Sequence, residues 1–363
     1  MINRQPHSSP LKLGAISGAV SGTLLGAITL LSPAPSAAQE VDAPTGSQVV
    51  TIEFDGVVGD APFSCNETYR LGTQSTAFAP LDFRLYVSNI TLTSATGNTV
   101  PLELEQDEQW QYQNVALLDF EDKTGTCANG TSQTRNQVMG VVPAGDYTGV
   151  QFTVGVPSEL NHIDATLAPS PLNLTSLWWN WNAGYKFARI DFQQTTDTAS
   201  TPSINNTLTS NALKGEDGQT DEHGHGNGHA HSNEHGEGAH GEHGTHGNHG
   251  GAHGHGAHGD AAQAFAFHLG SVGCQMEDGQ TPVSCALPHR AEVVLSDFNP
   301  SQNVVTVDLA QLFADTDMSH NQAGTAAGCM SNPADMDCQG PLQNLGLPFG
   351  ELPAGEQTVF SFQ

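Results

Sequence analysis

Positive charge is scarce in this sequence: 10 Lys and Arg stand against 38 Asp and Glu, for a formal net charge of −28 at pH 7. A phosphate backbone or an anionic lipid surface would be repelled, which excludes nucleic acid as a partner and favours cations and basic proteins. Catalytic signatures are also missing. There is no nucleophile elbow, His-Glu-x-x-His, phosphate loop or haem-attachment Cys-x-x-Cys-His, so no nucleophile–base pair argues for an enzyme. Asp315, Asp317, Ser319 and Asn321 approximate a calcium loop, but position six is His320 rather than Gly and position twelve is Ala326 rather than Glu. That stretch reads as a loop that hydrogen-bonds itself. No long helical period is present, although Leu309–Phe313 is enough for one turn.

Nor is there a strong apolar run. The nearest approach, Leu13 to Leu31, is diluted with Gly, Ser and Ala, follows Arg4 and Lys12, and ends at Pro33 and Pro35. It is too weak for a membrane span and fits a secretory signal peptide over residues 1–38, cleaved after Ser36-Ala37-Ala38. Cleavage removes two basic groups and no carboxylate, so the mature chain is more acidic still. The expected location is the periplasm or the cell exterior of a bacterium, without stable membrane insertion.

Six cysteines, Cys65, Cys127, Cys274, Cys285, Cys329 and Cys338, are an even set in an exported chain and argue for three disulfides. Proximity suggests Cys274–Cys285 and Cys329–Cys338 as local loops, leaving Cys65 with Cys127, although 15 pairings are formally open. With all six oxidised, no cysteine has the setting of a blue-copper ligand, and a soft-metal site must draw on other groups.

What remains is strand-like. Short β-branched and aromatic runs separated by Gly, Pro, Asn and Asp predict strands near Val49–Phe54, Phe83–Leu92, Val115–Phe120, Tyr147–Val156, Trp178–Phe192, Ala264–Leu269, Ala291–Leu295, Val304–Leu309 and Thr358–Phe362. The expected fold is all-β, a single antiparallel β-sandwich-like domain over 39–363 with long loops. A His/Gly-rich insertion, about 195–262, interrupts it; with almost no apolar surface to bury, this segment is expected to be disordered.

Twelve histidines fall in that insertion: His223, His225, His229, His231, His235, His240, His243, His246, His249, His253, His255 and His258. Flexible Gly-His steps can wrap Zn²⁺, Ni²⁺ or Cu²⁺ in many equivalent ways, which suits buffering rather than selective binding. Outside the insertion and leader only His162, His268, His289 and His320 remain. His162 and His268 stand at strand ends, where loops converge. Between them lies the run Trp178-Trp179-Asn180-Trp181-Asn182-Ala183-Gly184-Tyr185-Lys186-Phe187-Ala188-Arg189-Ile190-Asp191. Strand parity puts Trp179, Trp181, Tyr185, Phe187, Arg189 and Asp191 on one face unless Gly184 is a bulge, and the plain reading is an aromatic core stripe capped by an Arg–Asp pair.

Several segments together resemble the metallo-mystery pair four-Cys-motif family. They are Phe63-Ser64-Cys65 through Tyr69-Arg70-Leu71-Gly72, Phe83-Arg84-Leu85-Tyr86-Val87-Ser88, Val154-Gly155-Val156-Pro157 through Leu160-Asn161-His162, Trp179-x-Trp181-Asn182-x-Gly184-Tyr185-Lys186-Phe187, Phe267-His268-Leu269-Gly270-Ser271 through Cys274, and Gly328-Cys329-Met330-Ser331 through Asp337-Cys338. That family includes the periplasmic copper-binding partner protein of methanobactin operons. The resemblance implies a secreted β-protein paired with a di-haem enzyme related to cytochrome c peroxidases, which oxidises a tryptophan to kynurenine so that the new aryl amine joins histidines in binding copper, as Cu⁺ or Cu²⁺. Carried onto this chain, it implies Trp179 or Trp181 as the modified residue and His162 and His268 as ligands, with His289 a third. The competing expectation is a structural or adhesive β-sandwich that only buffers Zn²⁺, Ni²⁺ or Cu²⁺ through its histidine-rich loop.

Overall fold

In a computed structural model, residues 46–180, 182–195, 263–276 and 282–363 are described. The leader, the histidine-rich insertion and Trp181 lie outside them. Alternation of apolar and polar residues drives the strands, as in Ser47–Val58 (β1), where Val50, Ile52 and Phe54 point inward. The central strand is Thr76–Ser94 (β2), buried along most of its 19 residues. Val115–Asp119 (β3) is buried throughout. Then follow Gln137–Pro143 (β4), Tyr147–Val154 (β5), Trp178–Asn180 (β6), Gly184–Tyr185 (β7), Ala188–Gln194 (β8), Ala264–Leu269 (β9), Val272–Met276 (β10), Pro282–Leu287 (β11), Ala291–Ser296 (β12), Val305–Asp308 (β13), Gly328–Cys329 (β14) and Phe360–Phe362 (β15).

Two sheets face each other. The smaller runs β15-β13-β1-β4, and the larger runs β12-β5-β2-β8-β9-β14 with β3 also on β2. Edge-to-face contacts of Phe152, on β5, with Phe54 at 5.6 Å and Phe360 at 5.4 Å join them. Gly56 is required at this seam, because a Cβ there would lie 2.7 Å from the Phe83 ring.

The all-β class is as expected, but the sheets are not purely antiparallel. β1 pairs parallel with β13, and β9 parallel with β14. Each parallel partner comes from the C-terminal third of the chain, far enough along for the crossover that parallel pairing demands. The expected single strand Trp178–Phe192 is also corrected. It breaks into a β6–β7 hairpin, with Trp178 opposite Tyr185, followed by β8. The break is local chemistry: Asn180 Oδ1 accepts from the backbone N–H of Asn182 and Ala183, and Gly184 takes φ +81° where a Cβ would strike Asn161. Strand β4 and the β10–β11 hairpin were not anticipated. The turn at Leu309–Leu312 was, and Asp308 caps it by accepting from Ala310 N.

The three disulfides are Cys65–Cys127, Cys274–Cys285 and Cys329–Cys338. They mark a protein exported to an oxidising compartment. Among the described residues no helix is long and apolar enough to cross a membrane.

Candidate metal centre

Three of the four histidines outside the insertion and the leader are linked by hydrogen bonds to the segment His268–Ser271, where β9 ends and the β10–β11 hairpin begins, although among the described residues the donor atoms that lie within 4.8 Å of one another are those of His162, Cys274 and Cys285. His268 is buried. Its Nε2–H donates to Asp191 Oδ1 at 2.9 Å, which leaves Nδ1 as the nitrogen with a lone pair. His289 is also buried, at φ +47°, and its Nδ1–H donates to Gly270 O at 3.0 Å, leaving Nε2 as the lone-pair nitrogen. Burial holds the His289 pKa below its usual value and so keeps the ring neutral, the form that ligates a metal.

Trp179 packs on the same corner. A Cβ on Gly270 would lie 2.4 Å from Trp179 Cζ3, and the indole stands 6.4 Å from the His268 ring. Glycine at 270 therefore does two things. It seats the indole against the backbone, and its carbonyl orients His289. Trp179 is half-buried and lines an open depression of about 370 Å³ with Asn182, Ser271, Cys274 and Met330.

His162 approaches from another side. Asn161 Nδ2 donates to His162 Nε2 at 3.2 Å and to Ser271 Oγ at 3.5 Å, while Asn161 Oδ1 accepts from Tyr185 N. Ser271 Oγ in turn donates to Pro288 O, next to His289. One polar string thus ties His162, the corner and His289. His320 is apart from all of this: it is exposed, and its Nδ1–H donates to Asp317 Oδ2 at 3.1 Å within the loop that was expected to bond itself.

The corner is braced by a buried charge ladder that crosses four strands. Asp119, Arg84, Arg189 and His268 stand directly opposite one another on β3, β2, β8 and β9. Arg84 and Arg189 are like charges facing each other, and so are Asp82 and Asp191; the ladder resolves this diagonally. Asp82 accepts from Arg84 Nε at 2.8 Å and pairs with Arg189 Nε at 3.1 Å, and Asp191 accepts from Arg189 Nε at 2.7 Å. Burial alone would raise the Asp191 pKa, but the hydrogen bond from His268 and the bond and charge of Arg189 hold it below the ordinary carboxylate value. At the far end burial, reinforced by the charge of Glu121, pushes Asp119 up to about 8.

The expected Arg189–Asp191 cap is therefore present, and Tyr185 and Phe187 are core, but Trp179 is not part of their stripe. Trp181 lies outside the described residues. Two residues escaped the sequence reading, Asp191 as the orienter of His268 and Gly270 as the seat of Trp179. The alternating pairs Asp82-x-Arg84 and Arg189-x-Asp191 were a usable signal for the first.

The fold and corner define a disulfide-stapled β-protein in which buried histidines stand near an indole at one corner. The MbnP family model matches residues 47–221. A solved structure, MbnP from Methylosinus trichosporium, is similar with a TM-score of 0.63 and 26% sequence identity, covering 87% of this chain and 98% of that one. Over residues 47–221 the chain is similar to the MbnP family. No curated protein sequence matches it.

Proposed function

We propose that this protein binds copper at the His268–Ser271 corner, through His268, His289 and His162, and that Trp179 becomes the remaining ligand after oxidation to kynurenine by a di-haem partner enzyme. One observation carries the reading: two buried imidazoles, each with one nitrogen hydrogen-bonded and the other bearing a lone pair, and the indole of Trp179 all meet the chain at His268–Gly270. Neutral imidazoles suit copper, and with all six cysteines crosslinked the thiolate route is closed in this state.

An intact indole is a hydrogen-bond donor only, so the corner as folded lacks one donor set. Cleavage of the indole C2–C3 bond with addition of two oxygen atoms, and hydrolytic loss of C2 as formate, leaves an aryl amine with a lone pair. The oxidising equivalents come from the partner. Trp179 is half-buried at an open depression, which leaves an edge within reach of a docked enzyme. The protein itself acts as a binding protein rather than an enzyme. Asp191 and Gly270 O orient the rings, and the ladder behind Asp191 keeps it ionised.

The test is co-expression with the di-haem partner followed by mass spectrometry of the peptide carrying Trp178, Trp179 and Trp181. The reading expects a gain of about 4 mass units on Trp179, the difference between kynurenine and tryptophan, and copper binding that depends on it. An unmodified Trp179 in protein that binds copper no better than His268→Ala would sink it.

A further inference from the structure

The three disulfides are not equivalent. Cys65, Cys127, Cys329 and Cys338 are all buried, whereas Cys274 and Cys285 are only half-buried, on the hairpin β10–β11. Cys274 lines the depression beside Trp179 and Met330. Cys285 Sγ lies 3.6 Å from His162 Nε2, and donor atoms of His162, Cys274 and Cys285 all fall within 4.8 Å of one another. That triangle has the donors of a metal site, yet its sulfurs are bonded to each other and in this state are poor ligands.

The His162 contact is the telling one. Because Asn161 Nδ2 donates to His162 Nε2, that nitrogen is unprotonated and its lone pair is held by the amide, which a metal would have to displace; the sulfur beside it has no proton to offer. An imidazole acceptor and the two sulfurs are thus held together, and a cation that displaces the Asn161 amide would meet all three. We propose that Cys274–Cys285 is a reducible disulfide whose opening by a dithiol oxidoreductase creates a thiolate site for Cu⁺ from Cys274, Cys285 and His162. The geometry stands independently of tryptophan oxidation; only the identity of the ion rests on the copper reading above.

The step balances as ordinary thiol–disulfide exchange. A thiolate of the dithiol attacks Cys274 Sγ, the sulfur facing the depression, and the S–S bond breaks. The electron pair leaves on Cys285 Sγ, which takes a proton. The second thiol of the reductant then attacks its own sulfur in the mixed disulfide and releases Cys274. Two electrons and two protons pass to the protein, and the reductant ends as a disulfide. Binding of Cu⁺ displaces the thiol protons, because the thiolate is the ligand. Two thiolates and an imidazole form a softer set than the histidines alone and favour the monovalent ion.

The test treats the native full chain with dithiothreitol, removes the reductant anaerobically, and follows alkylation by mass spectrometry and Cu⁺ binding by X-ray absorption and competition titration. Alkylation is expected at Cys274 and Cys285 before any other cysteine, with copper–sulfur scattering and Cu⁺ affinity at least about tenfold above that of the oxidised chain. The double variant Cys274→Ser, Cys285→Ser should show neither effect and still bind the copper that the oxidised protein binds. His162→Gln should leave alkylation intact and remove most of the reduction-dependent gain. Labelling first at Cys65, Cys127, Cys329 or Cys338, or a reduced protein with no copper–sulfur signal, overturns the proposal. Loss of copper from the oxidised wild-type chain would instead count against the histidine–tryptophan centre and leave the thiolate site standing.

Discussion

Twelve histidines between His223 and His258 are spaced mostly by glycine, with nothing in the sequence to hold any one of them, whereas His162, His268 and His289 each meet a named partner in the folded domain. The first group offers number and the second offers orientation. A metal choosing between them weighs many equivalent, entropically costly chelates against a few rings whose tautomer and direction are already set. Capacity and selectivity are therefore expected to separate between the two regions.

The sharpest break of that comparison is removal of an oriented ring. His268→Ala or His289→Ala should weaken the tightest copper equivalent by at least about 100-fold while leaving the total capacity of the full chain nearly unchanged, read by competition titration. Next is Asp191→Asn, which keeps the shape but removes the charge that fixes His268. A loss of about 10- to 100-fold in affinity is expected, with the His268 ring tautomer altered by NMR. Normal affinity would show that the carboxylate only packs.

Gly270→Ala tests the seat of the indole. The added methyl meets Trp179 and Tyr185 O, so about 1–3 kcal/mol of stability should be lost by overpacking, and Trp179 should be oxidised more slowly by the partner. Unchanged oxidation at reduced stability would confine the role of Gly270 to folding.

The smallest effect concerns the far end of the ladder. Asp119 is pushed up to about 8 from an ordinary 3.8, so the folded chain keeps a proton that the unfolded chain releases. Its contribution to stability is full below about pH 4 and is lost as the pH rises through about 8. Asp119→Asn should therefore flatten the fall of Tm between pH 5 and 8 and leave copper affinity at His268 within about twofold, since it is separated from that ring by two arginines. A wild-type Tm that climbs across this range would contradict the assignment.

Much of the fold was legible because strand alternation is a local signal, and Val50, Ile52 and Phe54 announce β1 as plainly as Ala291, Val293 and Leu295 announce β12. The parallel pairings were not, since nothing near Val305 says that its neighbour is Phe54. Residues 178–192 misled for a different reason. Their aromatic density reads as one strand, and the turn is made by a side chain, Asn180 Oδ1, that competes with the ladder. At the site, His162, His268 and His289 could be singled out by their rarity outside the insertion, but the backbone carbonyl that orients His289 is invisible to residue identity.

Oriented imidazoles beside Trp179, rather than the histidine tract, are proposed to hold the selective copper. The decisive experiment titrates copper against a competing chelator in the chain lacking residues 215–260 after co-expression with the di-haem partner. The account expects one tight equivalent to survive the deletion unchanged while weaker equivalents disappear. Disappearance of all copper binding with the tract would contradict it.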